Sequence, residues 1–186
     1  KLSVCSTGSL RTSLESSSSS SSKAYPEYYQ QYIERIPEGK DPFELLIFTL
    51  KNTIKTLAMV SDEQANKGYS EGKWSIKEVV QHIIDTERIY AYRALSFTRG
   101  EKNAIRGYDH NEYAANSSAN RRSLKDLLEE LKRLRASTID LFKSFSEEMI
   151  RSKGNANDLD MTAEQIMYIL IGHEMHHMWV IEQKYL

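Results

Sequence analysis

Four stretches of the chain place apolar residues at helical spacing, and each stretch begins with a pattern that caps a helix. In the first, Asp41 is a candidate N-cap, Pro42 suits the first helical position, and Glu44 can close a capping box. A hydroxyl residue followed three positions later by Glu, Asp or Gln opens the other three, at Ser75, Ser123 and Thr162. Each amphipathic helix has one apolar face to bury, so the chain is predicted to be all-α, as a four-helix bundle.

The connections between these helices are predicted to differ in length. The first helix is expected to end near Met59, before a short helical turn at 61–64, and the second is expected to end near Gly100. The connection that follows, to about Arg122, is long and can cross the bundle, so a simple up-down topology is not implied. No segment has a convincing strand pattern, and residues 154–160 are predicted to form a polar loop.

Composition narrows the choice of partners and environment. The chain has 25 basic and 26 acidic residues, which gives no electrostatic reason to expect nucleic acid or an anionic membrane as a partner. No apolar run approaches the roughly 20 residues that a membrane helix needs. The single cysteine, Cys5, excludes an intrachain disulfide, which fits a reducing, cytoplasmic setting.

The first 22 residues differ from the rest of the chain. Residues 16–22 are an unbroken serine run, and the preceding residues show no apolar period. Such a segment has too little apolar surface to offset the chain entropy lost on folding. Residues 1–22 are therefore predicted to be a disordered segment or linker, and residues 23–186 to be the bundle.

Two histidines lie on the inward face of the fourth predicted helix. His173 and His177 are four residues apart, so their side chains are neighbours on one face, and apolar residues flank them. Burying two unpaired imidazoles would cost free energy, whereas a shared metal ion satisfies both. This pair therefore indicates a metal site rather than two packed core histidines.

A metal site needs a third ligand, and His82 on the second predicted helix is the best candidate. It lies at the edge of the apolar stripe, although a surface position on the helix is the alternative. His110 lies in a polar loop and is expected to be solvated, and His176 is offset from the line that joins His173 to His177. Three protein nitrogens with open positions are typical of a catalytic metal site.

Two other metal motifs overlap the same helix. Residues 173–177 match H-E-x-x-H, in which the glutamate of a zinc protease is the general base. Glu182 is the only later carboxylate and shares the helix, and no strand is predicted to hold a peptide, so this interpretation is disfavoured. Glu174 and His177 match half of a di-iron motif, but a second Glu-x-x-His is absent. Glu174 is expected to be a solvated or packing residue.

These residues together resemble the DinB-like (YfiT-like) superfamily. The resemblance covers about Tyr25 to Leu186, and its motifs lie at 73–78 with His82 and 85–88, at 107–113, at 123–128 and at 172–177. It implies a four-helix bundle that is commonly dimeric, and a three-histidine metal site at His82, His173 and His177. It also implies one divalent ion, with zinc or nickel as the expected metals.

The resemblance further implies an activity. Similar proteins include S-transferases that use low-molecular-weight thiols, a thiol-dependent isomerase, and many metal-dependent hydrolases without a known substrate. We therefore expect a metal-dependent enzyme that activates a thiol or water against a small-molecule substrate. The alternative is a non-catalytic, metal-stabilised bundle that acts as a dimeric binding or structural module.

Other side chains are assigned roles from their position near the expected site. Asp85 and Glu87 follow His82 closely on the same helix, so either can orient a ligand or move a proton. Surface ion pairs with neighbours such as Arg88 are the alternative for both. Trp74, Trp179 and the tyrosines are expected to be core or dimer contacts rather than part of a substrate site.

Overall fold

The computed structural model describes residues 25–186, so the predicted serine-rich segment 1–22 lies outside the described residues. Four long helices and several short elements make up this part of the chain. In chain order they are α1 (Glu27–Ile33), α2 (Pro42–Leu57), α3 (Asp62–Ala65), α4 (Ile76–Thr98), α5 (His110–Asn116), α6 (Leu124–Lys143), α7 (Glu147–Ile150), β1 (Lys153–Ala156), β2 (Leu159–Thr162) and α8 (Ala163–Lys184). A 3₁₀ turn at Ala119–Arg121 precedes α6.

The four long helices begin where the capping patterns predict. Asp41 accepts a hydrogen bond from the Glu44 backbone at the start of α2. Ser75 opens α4 and Thr162 opens α8, each with a reciprocal capping box in which the side chain three residues later bonds back to the cap. Ser123 caps α6 through the Asp126 backbone N–H. These side chains satisfy backbone N–H groups that have no partner inside the helix.

The bundle has an up-down-down-up arrangement. Both α2 and α4 pack against α6 and α8, so α2 and α4 lie across the diagonal of the bundle. Arg122, just before α6, donates a hydrogen bond to Gln81 in the first half of α4. Further along both helices, Arg88 of α4 pairs with Glu130 of α6, so α4 and α6 run parallel. The Tyr185 hydroxyl bonds to the Trp74 carbonyl, close to the start of α4, so α8 runs antiparallel to α4.

A parallel pair requires the connection between α4 and α6 to return along the length of the bundle. Residues 99–123 make this return, and they carry α5, which packs on α4. Ile105 is fixed midway, because its backbone bonds to Asn155 and Asn157. The long crossover between the second and third predicted helices is therefore present.

The prediction that residues 154–160 form a polar loop was wrong. They form most of an antiparallel hairpin, in which Lys153 pairs with Thr162 and Ala156 pairs with Leu159. The turn residues Asn157 and Asp158 both have positive φ, which is the geometry of a type I′ hairpin turn and is tolerated by Asn and Asp. The hairpin packs on α4 and leads directly into α8.

Among residues 25–186, no helix combines the length and the apolar character needed to cross a bilayer.

Candidate metal centre

Three histidines from two antiparallel helices meet inside the bundle. The Nε2 atom of His173 lies 3.0 Å from Nε2 of His82 and 3.1 Å from Nε2 of His177. One ring nitrogen from each residue lies within 4.8 Å of the other two, and this is the only such cluster of three potential ligands among the described residues. The i,i+4 pair on α8 thus faces His82 on α4, as the sequence pattern predicts.

The spacing of the three nitrogens suits a divalent ion. Zinc–nitrogen bonds of about 2.0–2.1 Å in tetrahedral geometry separate neighbouring ligand nitrogens by about 3.3 Å. The separations of His173 Nε2 from the other two Nε2 atoms are within a few tenths of an ångström of that value. An ion at the centre of the three nitrogens would have at least one coordination position not filled by these side chains. The residues present therefore fit a three-histidine metal site.

Burial keeps these imidazoles in the neutral form that a metal requires. It lowers the pKa of His82 to about 4, with a further contribution from the nearby His110. Burial also lowers the pKa of His173 and His177 well below the usual histidine value, and the neighbouring histidines add to this effect. Near neutral pH each ring has a free nitrogen lone pair to donate.

Helix α1 packs against the histidine cluster through the side chain of Tyr32. The Tyr32 ring lies edge-on to the His173 ring, with centroids 5.4 Å apart, and also contacts His176. This approach depends on Gly172, because a Cβ atom there would lie 2.3 Å from the Tyr32 carbonyl oxygen. The Trp74 ring packs on His82 with a centroid distance of 5.0 Å.

A cavity of about 400 Å³ opens beside the three histidines. All three line it, together with His110, whose ring centroid is 6.0 Å from that of His82. Thr86 and Tyr108 form part of the wall and share a 3.0 Å hydrogen bond between their hydroxyls. A coordination position left open by the histidines would therefore be next to space that can hold a small molecule.

His110 and His176 lie near the centre without joining it. His110 is exposed, as expected for its polar surroundings, although it lines the cavity. His176 is half-buried and its ring packs beside those of His177 and Trp179. Neither belongs to the converging cluster.

The two carboxylates that the sequence suggested as helpers lie elsewhere. Asp85 accepts a 2.8 Å hydrogen bond from Gln81, lies 3.9 Å from Arg88 and does not line the cavity. Glu87 is 1% exposed and forms a two-bond ion pair with Arg135 in the bundle core. The structure therefore brings neither carboxylate to the cavity.

Glu174, which was expected to be a solvated or packing residue, is also buried, so the solvated alternative was wrong. It accepts hydrogen bonds from Arg135 at 2.8 Å and from Thr53 at 2.7 Å. Arg135 further donates to the Leu46 carbonyl and to Thr49. Helices α2, α4, α6 and α8 all contribute to this network, which lies behind the histidine face of α8.

Several cavity residues were not anticipated from sequence. Trp74 and five tyrosines line the cavity, although they were expected in the core or at a dimer contact. Arg93 lines it as well. Arg93 follows His82 by 11 residues, or about three helical turns, so it lies on the same face of α4. That spacing is the sequence signal that could have found it.

Comparisons with known proteins agree with this architecture. The model of the DinB superfamily matches residues 45–181, and a search of curated proteins found no significant match. Among solved structures, the chain is similar to YfiT from Bacillus subtilis, described as "a probable metal-dependent hydrolase with an unusual four-helix bundle topology". The two superpose with a TM-score of 0.70 at 18% identity, over 80% of this chain and 90% of that chain. Because the family model spans well over half of the sequence, the chain belongs to the DinB superfamily.

Proposed function

We propose that this protein is an enzyme that uses one divalent metal ion, held by His82, His173 and His177, to activate water or a low-molecular-weight thiol. The observation that carries the proposal is the convergence of three neutral imidazoles at the wall of a cavity. When bound, the ion lowers the pKa of a water molecule or thiol beside it and so supplies a nucleophile near neutral pH. Zinc and nickel are the metals we expect.

The surrounding side chains would prepare the site for this chemistry. Tyr32 packs on the His173 ring and Trp74 packs on the His82 ring, so these aromatic contacts would restrict both imidazoles and cover part of their surface. Electrostatic interactions are stronger where water is excluded. His110 is the cavity-lining imidazole outside the triad, and it is placed to accept or donate a proton during turnover.

Hydrolysis and thiol transfer are the two reactions that this site would support. Hydrolysis is favoured by the likeness to YfiT, which is described as a probable metal-dependent hydrolase. Thiol transfer is favoured by the resemblance of the motifs to thiol-dependent members of the superfamily. A homodimer and a cytoplasmic location remain predictions that accompany either reaction.

A cobalt-substituted sample tests the proposal directly. Cobalt in the three-histidine site should give a visible spectrum that changes when cysteine or 2-mercaptoethanol is added, because a thiol would occupy the open coordination position. A spectrum that responds to azide but not to thiols would favour hydrolysis. A spectrum that no thiol or small anion perturbs would contradict catalysis and support a non-catalytic, metal-stabilised bundle.

A further inference from the structure

Two arginines are almost fully buried in this bundle, and they differ in their partners. Arg135 and Arg93 are each 1% exposed. Arg135 donates five hydrogen bonds and pairs with two carboxylates. Among residues 25–186, no carboxylate forms an ion pair with Arg93, and its Nε atom is buried without a hydrogen-bond partner. A buried charge without a counter-ion is costly, so this arrangement requires an explanation.

The aromatic contact of Arg93 satisfies only part of the side chain. Its guanidinium lies over the Tyr90 ring, with Cζ 4.7 Å from the centroid. This cation–π contact uses the flat face of the group and leaves the N–H donors at its edge available. The Tyr90 hydroxyl is already bonded to Tyr29 at 2.8 Å, so it is committed to another partner.

Arg93 lies in the same cavity as the histidine triad. Both Arg93 and His82 project from one face of α4, about 16 Å apart along the helix axis. Long helical side chains lean toward the helix N-terminus, and the stacking of Arg93 on Tyr90 brings its guanidinium toward the histidine end. The two groups therefore lie along the same cavity, at a separation that a small molecule can span.

The described wall of the cavity carries a positive side-chain charge, that of Arg93, without a negative one. Within the described part of the chain, none of the side chains that line it is an aspartate or a glutamate. A divalent ion at the triad would add two positive charges to that of Arg93, with neutral histidines as its ligands. A ligand with a negative group would supply the missing counter-charge.

We propose that Arg93 binds the carboxylate of a small organic acid, whose reactive end reaches the histidine triad. A planar guanidinium matches a carboxylate with two parallel hydrogen bonds, and the aromatic walls suit an organic body. A phosphate dianion usually recruits several cationic or backbone donors, whereas one arginine is present here. The proposal rests on the proposed function only for what happens at the triad, because anion binding by Arg93 can be measured without a metal.

Benzoate and benzamide form a matched pair of probes, since they differ in charge but hardly in shape. Titration calorimetry of the zinc-loaded protein should show benzoate binding at least tenfold more tightly than benzamide. The same preference should persist after chelator treatment, because Arg93 rather than the ion creates it. Inorganic phosphate should bind more weakly than benzoate. Equal affinity for benzoate and benzamide in the untreated wild type, or tighter binding of phosphate, would overturn the proposal.

Variants locate the binding group. Arg93→Met should weaken benzoate binding about tenfold or more and leave benzamide binding unchanged. Arg93→Lys should retain part of the preference, because it keeps the charge but not the two-pronged geometry. Arg133→Met, which removes an exposed arginine outside the cavity, is the matched control and should bind as wild type does.

The failure of this inference and the failure of the proposed function would look different. If Arg93→Met binds benzoate as tightly as wild type in the zinc-loaded protein, the carboxylate binds the ion alone and the inference is overturned, while the metal site stands. If the protein binds no metal, the proposed function fails. The role of Arg93 is then still decided by comparing the benzoate affinity of chelator-treated wild type with that of chelator-treated Arg93→Met. If circular dichroism shows that Arg93→Met does not fold, the role of Arg93 is decided by Arg93→Lys and by the benzoate–benzamide comparison in wild type.

Discussion

Glu174 accepts a 2.8 Å hydrogen bond from Arg135 in the bundle core, whereas the preceding residue, His173, lines the cavity. Both partners are 1% exposed, and the same guanidinium also binds Glu87 on α4 and the Leu46 carbonyl on α2. A single side chain of α6 thus links all four long helices. This network fixes the rotation of α8 and, with it, the direction in which His173 and His177 project.

Replacing Arg135 by methionine should destabilise the fold severely. The change leaves Glu87 and Glu174 buried without their cation, and breaking a buried pair in this way typically costs about 3–5 kcal/mol. Chemical denaturation should report a free energy of unfolding lowered by about that amount. Arg133→Met on the exposed side of α6 is the control and should change stability by about 0.5 kcal/mol or less. Equal stability of the two variants would contradict the role assigned to the network.

The stability of the metal-free protein should fall as the pH drops below the usual histidine range. The folded protein lowers the pKa of His82 from about 6.5 to about 4, so between these values the unfolded chain binds more protons. Stability should therefore be retained above pH 6.5 and be lost progressively toward pH 4. His82 alone corresponds to about 3 kcal/mol across this window.

Thermal unfolding of chelator-treated protein between pH 7 and pH 4.5 measures this effect. His82→Gln removes one of the titrating groups, so its unfolding midpoint should depend less steeply on pH than that of wild type. A wild-type midpoint that does not change between pH 7 and pH 4.5 would show that the histidines are not held neutral by burial.

Gly172→Ala should destabilise the protein, although alanine normally stabilises a helix relative to glycine by about 1 kcal/mol. The added Cβ would lie 2.3 Å from the Tyr32 carbonyl, so α1 must move away from α8. Overpacking of this kind costs about 1–3 kcal/mol. The sign of the change in unfolding midpoint is the measurement, and a rise would show that α1 does not pack closely against Gly172.

The sequence was sufficient for the long helices and for the facing pair His173 and His177 because both depend on local spacing. His82 lies on another helix, and its choice depended on the edge of the apolar stripe and on the family resemblance. Capping residues such as Ser75 and Thr162 act within one helical turn, and the i,i+4 pair on α8 faces one way in any helix. The hairpin was missed because its strands are only four residues long, and only β2 alternates apolar and polar residues. The Asn157–Asp158 turn was its main signal.

The buried arginines could not be assigned from local patterns. Arg135 occurs in a helix rich in charged residues, and only the neighbours brought by α2, α4 and α8 distinguish it from the exposed Arg133. From sequence alone, Glu87 was likewise a candidate to orient a ligand or move a proton beside His82. In the folded bundle it pairs with Arg135 instead. The pairing of charges across helices depends on which helices adjoin, and the parallel α4–α6 pair was not predictable from spacing.

The central claim is that three histidines hold one divalent ion, and elemental analysis of purified variants tests it most directly. Wild type should contain about one equivalent of zinc or nickel per chain, and His177→Ala should contain almost none, because two ligands rarely retain an ion. His176→Ala removes the neighbouring imidazole that lies outside the cluster, and His110→Ala removes the cavity imidazole; both should keep wild-type metal content. Undiminished metal in His177→Ala, or metal lost from His176→Ala instead, would contradict the assignment.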